Sequence, residues 1–141
     1  MRNVMKMATI AITVVELVMI LALVGLEFSS GYRAGIMHHL YYQKRSYLAT
    51  IFPQNLFIYH LLGIAASITI FLFCCRPERR PTDKTPFIRY GVVLLALICC
   101  YSIPWFSQLN IFAHLLIVLE CCLLLENIRI LLIPPPHLMD S

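Results

Sequence analysis

The sequence predicts an all-α membrane protein, a bundle of four transmembrane helices with short connections and an outer interfacial loop or helix. Three observations carry that expectation. The first is composition: of 141 residues 60% are hydrophobic and 13% charged, whereas a soluble domain carries about 25% charged residues to face water. With a mean hydropathy of +0.82 the chain has too little polar surface to cover a globule, so lipid must cover much of it. The second is four apolar stretches, each near the roughly 20 residues that cross a hydrocarbon core about 30 Å thick. The third is an uneven distribution of basic residues along the chain.

The first expected span covers residues 7–26 and is interrupted only by Glu16. Its basic start resembles a secretory leader, but the run is long for one, carries Glu16 at its middle and is followed by no A-x-A site, so it is expected to remain in the protein. Residues 28–55 form the one sizeable polar segment, the outer loop. Within it Ile36, Met37, Leu40, Tyr41, Leu48, Ile51 and Phe52 approximate one helical face, with His38, His39, Gln43 and Lys44 mostly elsewhere. That pattern fits either a helix lying in the membrane interface or a loop folded onto the outer ends of the spans.

The second span is expected at residues 56–75, after Pro53 and a capping Asn55, with His60 as its single ionisable group. A cytosolic loop follows at 76–86. The third span, 87–106, requires Arg89 to snorkel, with Thr85-Pro86 as cap and first turn and Ile103-Pro104-Trp105 as its end. The fourth, 109–133, contains Glu120, Glu126 and Arg129 and stops at Pro134-Pro135-Pro136. Glu126 and Arg129, three apart, are expected to pair locally.

Topology follows from the basic residues. Placing the N-terminus inside puts Arg2, Lys6, Arg76, Arg79, Arg80, Lys84, Arg89 and Arg129 on one side, eight of the eleven, and Arg33, Lys44 and Arg45 on the other. Both termini are therefore expected in the cytosol, in the plasma membrane or an endomembrane. The whole chain reads as a single membrane domain.

Function is less legible. The net charge of +4 has no basic stripe to bind nucleic acid and suits anionic headgroups better. The six cysteines fall as three adjacent pairs, which is neither a disulfide framework nor a C-x-x-C metal pattern. No metal, cofactor or catalytic motif is expected. Charges inside a membrane cost about 2.5–3.5 kcal/mol at a helix centre, so Glu16 and Glu120 need a reason. They are expected near mid-span on facing helices, either as neutral interhelical hydrogen-bond donors, as contacts to a partner subunit, or as a proton- or cation-handling pair. Gly63, Ala66 and Ser67 are small residues at a spacing that lets helices approach, within the bundle or against a partner. Cys74 and Cys75 abut the basic Arg76–Arg80 stretch and are candidate lipidation sites. His60 and His114 lie near the outer ends of their spans, where two histidines would hold a membrane haem axially.

With about 80 residues used in crossing, little remains for an active site. The expected function is accordingly a non-enzymatic accessory or scaffold subunit that packs in the bilayer against other integral membrane proteins, as a hetero- or homo-oligomer. A small channel or proton-coupled transporter subunit built on Glu16 and Glu120 is the alternative, and a haem-anchoring electron-transfer subunit using His60 and His114 is the third.

Overall fold

The computed structural model describes residues 2–53, 56–74 and 85–132, and among them every regular element is an α-helix. In chain order these are α1 (Arg2–Tyr32), α2 (Ala34–Thr50), α3 (Phe57–Cys74), α4 (Thr85–Ser102), α5 (Pro104–Gln108) and α6 (Phe112–Leu132). Two of them are long and apolar enough to cross a membrane, α1 over Met7–Tyr32 and α4 over Thr85–Ser102. The second and fourth expected spans correspond to α3, whose apolar part is the shorter Ile58–Cys74, and to α6, which carries His114, Glu120, Glu126 and Arg129. Cys75, the Asn55 cap, most of the loop expected at 76–86 and the Pro134–Pro136 stop lie outside the described residues.

The element boundaries have local causes. Pro104 forces Ile103 out of the helical region, to φ −100° and ψ 112°, so α4 ends at Ser102 and Pro104 opens α5. Leu109, at φ −60° and ψ 140°, ends that five-residue helix. Arg33, at φ −127° and ψ 107°, breaks α1 from α2 and lets the chain fold back. Helix α1 runs six residues past the span expected at 7–26, to Tyr32, with no proline between Leu26 and Tyr32 to stop it.

Helix α6 is the centre of the molecule and packs against each of the other five helices. Its buried positions, which include Ala113, Leu116, Cys122, Leu123 and Ile130, point to several sides rather than to one. The main apolar cluster joins Cys74 of α3, Tyr90, Leu97 and Cys100 of α4, and Leu116, Leu123 and Ile130 of α6. Phe71 stacks on Tyr90, with ring centroids 4.3 Å apart and planes 8° from parallel. A smaller cluster ties Leu23, Leu40 and Ile111 together where α1, α2 and the start of α6 meet.

On α1 burial runs opposite to that of a helix in a water-soluble bundle. On α1 the inward stripe is Thr9, Thr13, Glu16, Met19, Leu23, Glu27 and Ser30, spaced three or four apart. The outward face carries Ile10, Val14, Val18, Leu21, Val24 and Phe28, each about half exposed or more. Polar residues therefore face the bundle, and apolar ones face out.

The outer segment contains a helix, α2, but its inward face differs from the apolar face expected between Ile36 and Phe52. Ile36, Leu40, Gln43, Lys44 and Tyr47 turn toward the bundle, while Met37 and Tyr41 are exposed. The reason is polar. Lys44 Nζ donates to Ser107 O at 2.6 Å and Leu109 O at 2.8 Å, two carbonyls at the end of α5. Gln43 Oε1 lies 3.2 Å from His114 Nε2, and Tyr47 packs edge-on to the same imidazole. Burial pushes the Lys44 ammonium pKa down from the usual lysine value, and the Glu27 carboxylate opposes that.

Lys44→Met keeps the aliphatic stem and removes the donors. Charge-assisted hydrogen bonds are worth about 1.5–3 kcal/mol each, so amide exchange across α2 is expected to quicken by about tenfold or more, with α6 unchanged. Hydrogen-exchange mass spectrometry in micelles measures this. Unchanged exchange in α2 would show that its apolar contacts alone hold it.

Candidate functional site

Among the described residues, polar clusters in the interior of the bundle are anchored on α6, and three of them link it to α1, α3 and α4. The most buried centres on Arg129, which is 1% exposed. Its Nη1 donates to Glu126 Oε1 at 2.6 Å, and its Nη2 donates to Glu16 Oε2 at 3.1 Å and Thr13 Oγ1 at 3.0 Å. A guanidinium suits this position because its planar fork serves several acceptors from one side chain. Thr13 is fully used: it also accepts from Arg89 Nη1 at 3.0 Å and donates to Thr9 O at 3.0 Å. Two carboxylates thus meet one guanidinium, and Glu16 Oε1, Glu126 Oε2 and Arg129 Nε have no hydrogen-bond partner.

The second cluster joins α3, α4 and α6. His60 Nδ1 lies 3.0 Å from both Glu120 oxygens, and His60 Nε2 lies 2.9 Å from Ile51 O. A carbonyl only accepts, so Nε2 carries a hydrogen, and a second proton sits between Nδ1 and the carboxyl. Tyr101 Oη donates to Glu120 Oε1 at 3.1 Å, and Phe52 stacks on the imidazole at 4.5 Å. A groove of about 150 Å³ opens beside this cluster, lined in part by Tyr59, Gly63, Ile64 and Leu124.

The third cluster is fully buried. Asn127 Nδ2 donates to Ser67 Oγ at 2.6 Å, and Ser67 Oγ lies 2.9 Å from Tyr90 Oη. It links α6, α3 and α4 through one hydroxyl.

These contacts place each residue singled out from the sequence. Glu16 and Glu120 take different partners. Glu16 meets Arg129, nine positions beyond Glu120 on α6, roughly 13 Å along the axis. The local Glu126–Arg129 pair forms as the spacing indicates, but Glu16 joins it through a contact between residues 113 apart in the chain. Of the small residues, Ser67 turns inward, whereas Gly63 and Ala66 are exposed. A Cβ at Gly63 would meet nothing within 4 Å, so among the described residues no helix approaches closely there. Cys74 is buried in the main cluster, and Cys75 lies outside the described residues. His60 and His114 are held by separate partners, and His60 has both ring nitrogens engaged. The pair as arranged does not fit axial haem ligation, which needs a free nitrogen from each. Among the described residues no three His, Cys, Asp or Glu side chains are grouped to hold a metal ion.

A cavity of about 420 Å³ lies beside the Arg129 cluster, between the first half of α1, the start of α4 and α6. Thr9, Thr13, Thr85, Arg89 and Arg129 supply its polar wall. No sequence pattern marks it, because its residues come from three distant segments. The inward threonines of α1 were readable, since Thr9, Thr13 and Glu16 share one helical face.

Arg129→Met strands Glu16 and Glu126 in the interior and is expected to cost about 3–5 kcal/mol. Adding Glu16→Gln and Glu126→Gln removes the stranded charges and is expected to recover most of that loss. Denaturant unfolding in micelles measures both, and a triple variant no more stable than Arg129→Met alone would contradict the network. In comparisons with known proteins, no protein family, no curated protein and no solved structure matches this chain.

Proposed function

We propose that this chain is a non-enzymatic, multi-pass membrane subunit that packs against other integral membrane proteins. In this reading α1, α3, α4 and α6 cross the bilayer, both termini face the cytosol, and α2 lies at the outer interface. The observation that carries it is the inverted burial. Glu16, Ser67, Glu126, Asn127 and Arg129 are buried, while Ile10, Val14, Leu21, Leu62, Leu72, Val92 and Leu95 are exposed. A contiguous apolar exterior of this extent is unfavourable in water and neutral in lipid. Crossing by α6 is supported by the pairing of its charges, since Arg129 and Glu126 neutralise each other and Glu120 meets His60.

A structural role is favoured over catalysis because these polar groups bridge helices. Each of the three clusters takes residues from at least two helices besides loop or neighbour contacts, so they act as fixed links of the bundle. Internal pairing also replaces one motive for a partner, since Glu120 meets His60 and Glu16 meets Arg129 through one of its oxygens within the chain. The remaining motive is the largely apolar exterior of α1, α3 and α4. A transport role draws support from one feature, the two carboxylates on Arg129 with an open oxygen each beside a cavity.

Purification of the native complex in mild detergent tests the main reading, with stoichiometric co-purifying membrane proteins or a homo-oligomer expected and a lone monomer against it. Glu120→Gln is expected to leave that assembly intact. Proton or cation flux in liposomes that falls with Glu16→Gln would replace the accessory reading with transport.

Protease protection on sealed vesicles is expected to shield α2 when both termini are open to the cytosolic side. Digestion of α2 and a terminus from the same side overturns the topology. Acylation, if installed beside the basic stretch, is expected on Cys75 and not on the buried Cys74, so Cys75→Ser alone should abolish acyl-exchange labelling. Labelling lost only with Cys74→Ser would contradict this.

A further inference from the structure

We infer that the cavity between α1, α4 and α6 is a binding site for the phosphate of an anionic phospholipid in the cytosolic leaflet. This rests on the bilayer placement proposed above. The cavity, about 420 Å³, falls within the size range of small-ligand sites. Its polar wall is made of guanidinium and hydroxyl groups, and among the described residues no carboxylate lines it. Glu16 and Glu126 stand behind Arg129 and fix it in place, and the Thr13 hydroxyl is already engaged, so the donor group the cavity presents is the Arg89 guanidinium. An anion with several acceptor oxygens is the complement of such a wall.

Arg89 supplies the charge. Among the described residues Arg129 is matched by two carboxylates, whereas Arg89 forms no ion pair and is held by a single hydrogen bond to Thr13. It lies within electrostatic range of Glu126 without touching it. It sits one turn into the 18-residue helix α4, whose first amide groups have no helical acceptor and favour negative charge.

The remaining walls select a lipid over a soluble phosphate. Ile10 and Val14 line the same cavity and are 63% and 52% exposed. They continue into the outward apolar face of α1, so a headgroup seated at Arg89 has a path for its acyl chains along that helix. Helices α1 and α4 both pack closely on α6, which leaves the cleft between them open to the side. The cavity lies at the end of the bundle that holds the start of α1 and the start of α4. In the proposed topology this is the cytosolic boundary, where anionic lipids concentrate.

Flotation of the purified protein with liposomes comes first, then native mass spectrometry of protein released from nanodiscs of phosphatidylcholine with a minor fraction of phosphatidic acid. Retained phosphatidic acid is expected to exceed its bulk share by about fivefold, the effect of one basic group at an anionic surface. Arg89→Gln is expected to abolish that enrichment with an unchanged unfolding temperature, because the side chain is exposed. Arg45→Gln, at the opposite end, is expected to preserve it. Enrichment that survives Arg89→Gln, or a floating protein with no preference, overturns the site and leaves the membrane reading intact. Failure to float overturns both. Displacement of the lipid by millimolar inorganic phosphate overturns the lipid source and assigns the site to free phosphate.

Discussion

A guanidinium enclosed in an apolar bundle imposes the strongest constraint on this molecule. Arg129 is 1% exposed, and a buried charge is tolerable only when opposite charge and hydrogen-bond acceptors surround it. Glu126 is the local answer, one turn back on α6. Glu16 and Thr13 are the distant one, and they fix how far α1 slides along α6 and which face it presents. Shifting α1 by one residue would turn Glu16 about 100° away and leave Arg129 with a single anion. The register of α1 on α6 is thus set by charge.

The other two clusters do similar work for α3 and α4. His60 meets Glu120 toward one end of α6, and Ser67 meets Asn127 nearer the other. Two polar contacts at different heights define both the height and the rotation of α3. Apolar packing alone would define them weakly where the surroundings are as apolar as the side chains, because sliding exposes nothing unfavourable. Tyr90 and Tyr101 bring α4 into both clusters through hydroxyls. Helix α2 follows the same logic from outside, docking through Lys44 and Gln43 more than through its apolar residues.

The candidate site shows where reading along the chain succeeds and where it stops. The Glu126–Arg129 pair was legible because both partners share one helix turn. Glu16 and Glu120 were legible as residues that need a reason, since carboxylates inside apolar runs are costly wherever they sit. Their partners were not legible. Matching Glu16 with Glu120 rested on similar position within each span, whereas the helices meet with Glu16 much farther along α6. His60 and His114 likewise share a depth on paper and are drawn apart by Glu120 and Gln43. On α2 the apolar face was only partly legible: Ile36 and Leu40 turn inward, but Gln43 and Lys44 share that side through an imidazole and backbone carbonyls, and Met37 and Tyr41 are left exposed.

By itself the sequence determined the helical class, because periodicity, proline and apolar run length act over a few residues, while the limits of α1 and α4 and the separate helix α5 differ from those expected. It also determined that polar groups would have to be satisfied inside. Only the tertiary structure decided which groups satisfy which, that α6 is the hub, and that Thr9, Thr13, Thr85, Arg89 and Arg129 line one cavity. The physical reason is range. Local structure is set by neighbours along the chain, whereas the pairing of buried charges depends on the relative height and rotation of whole helices, which many small contacts fix together.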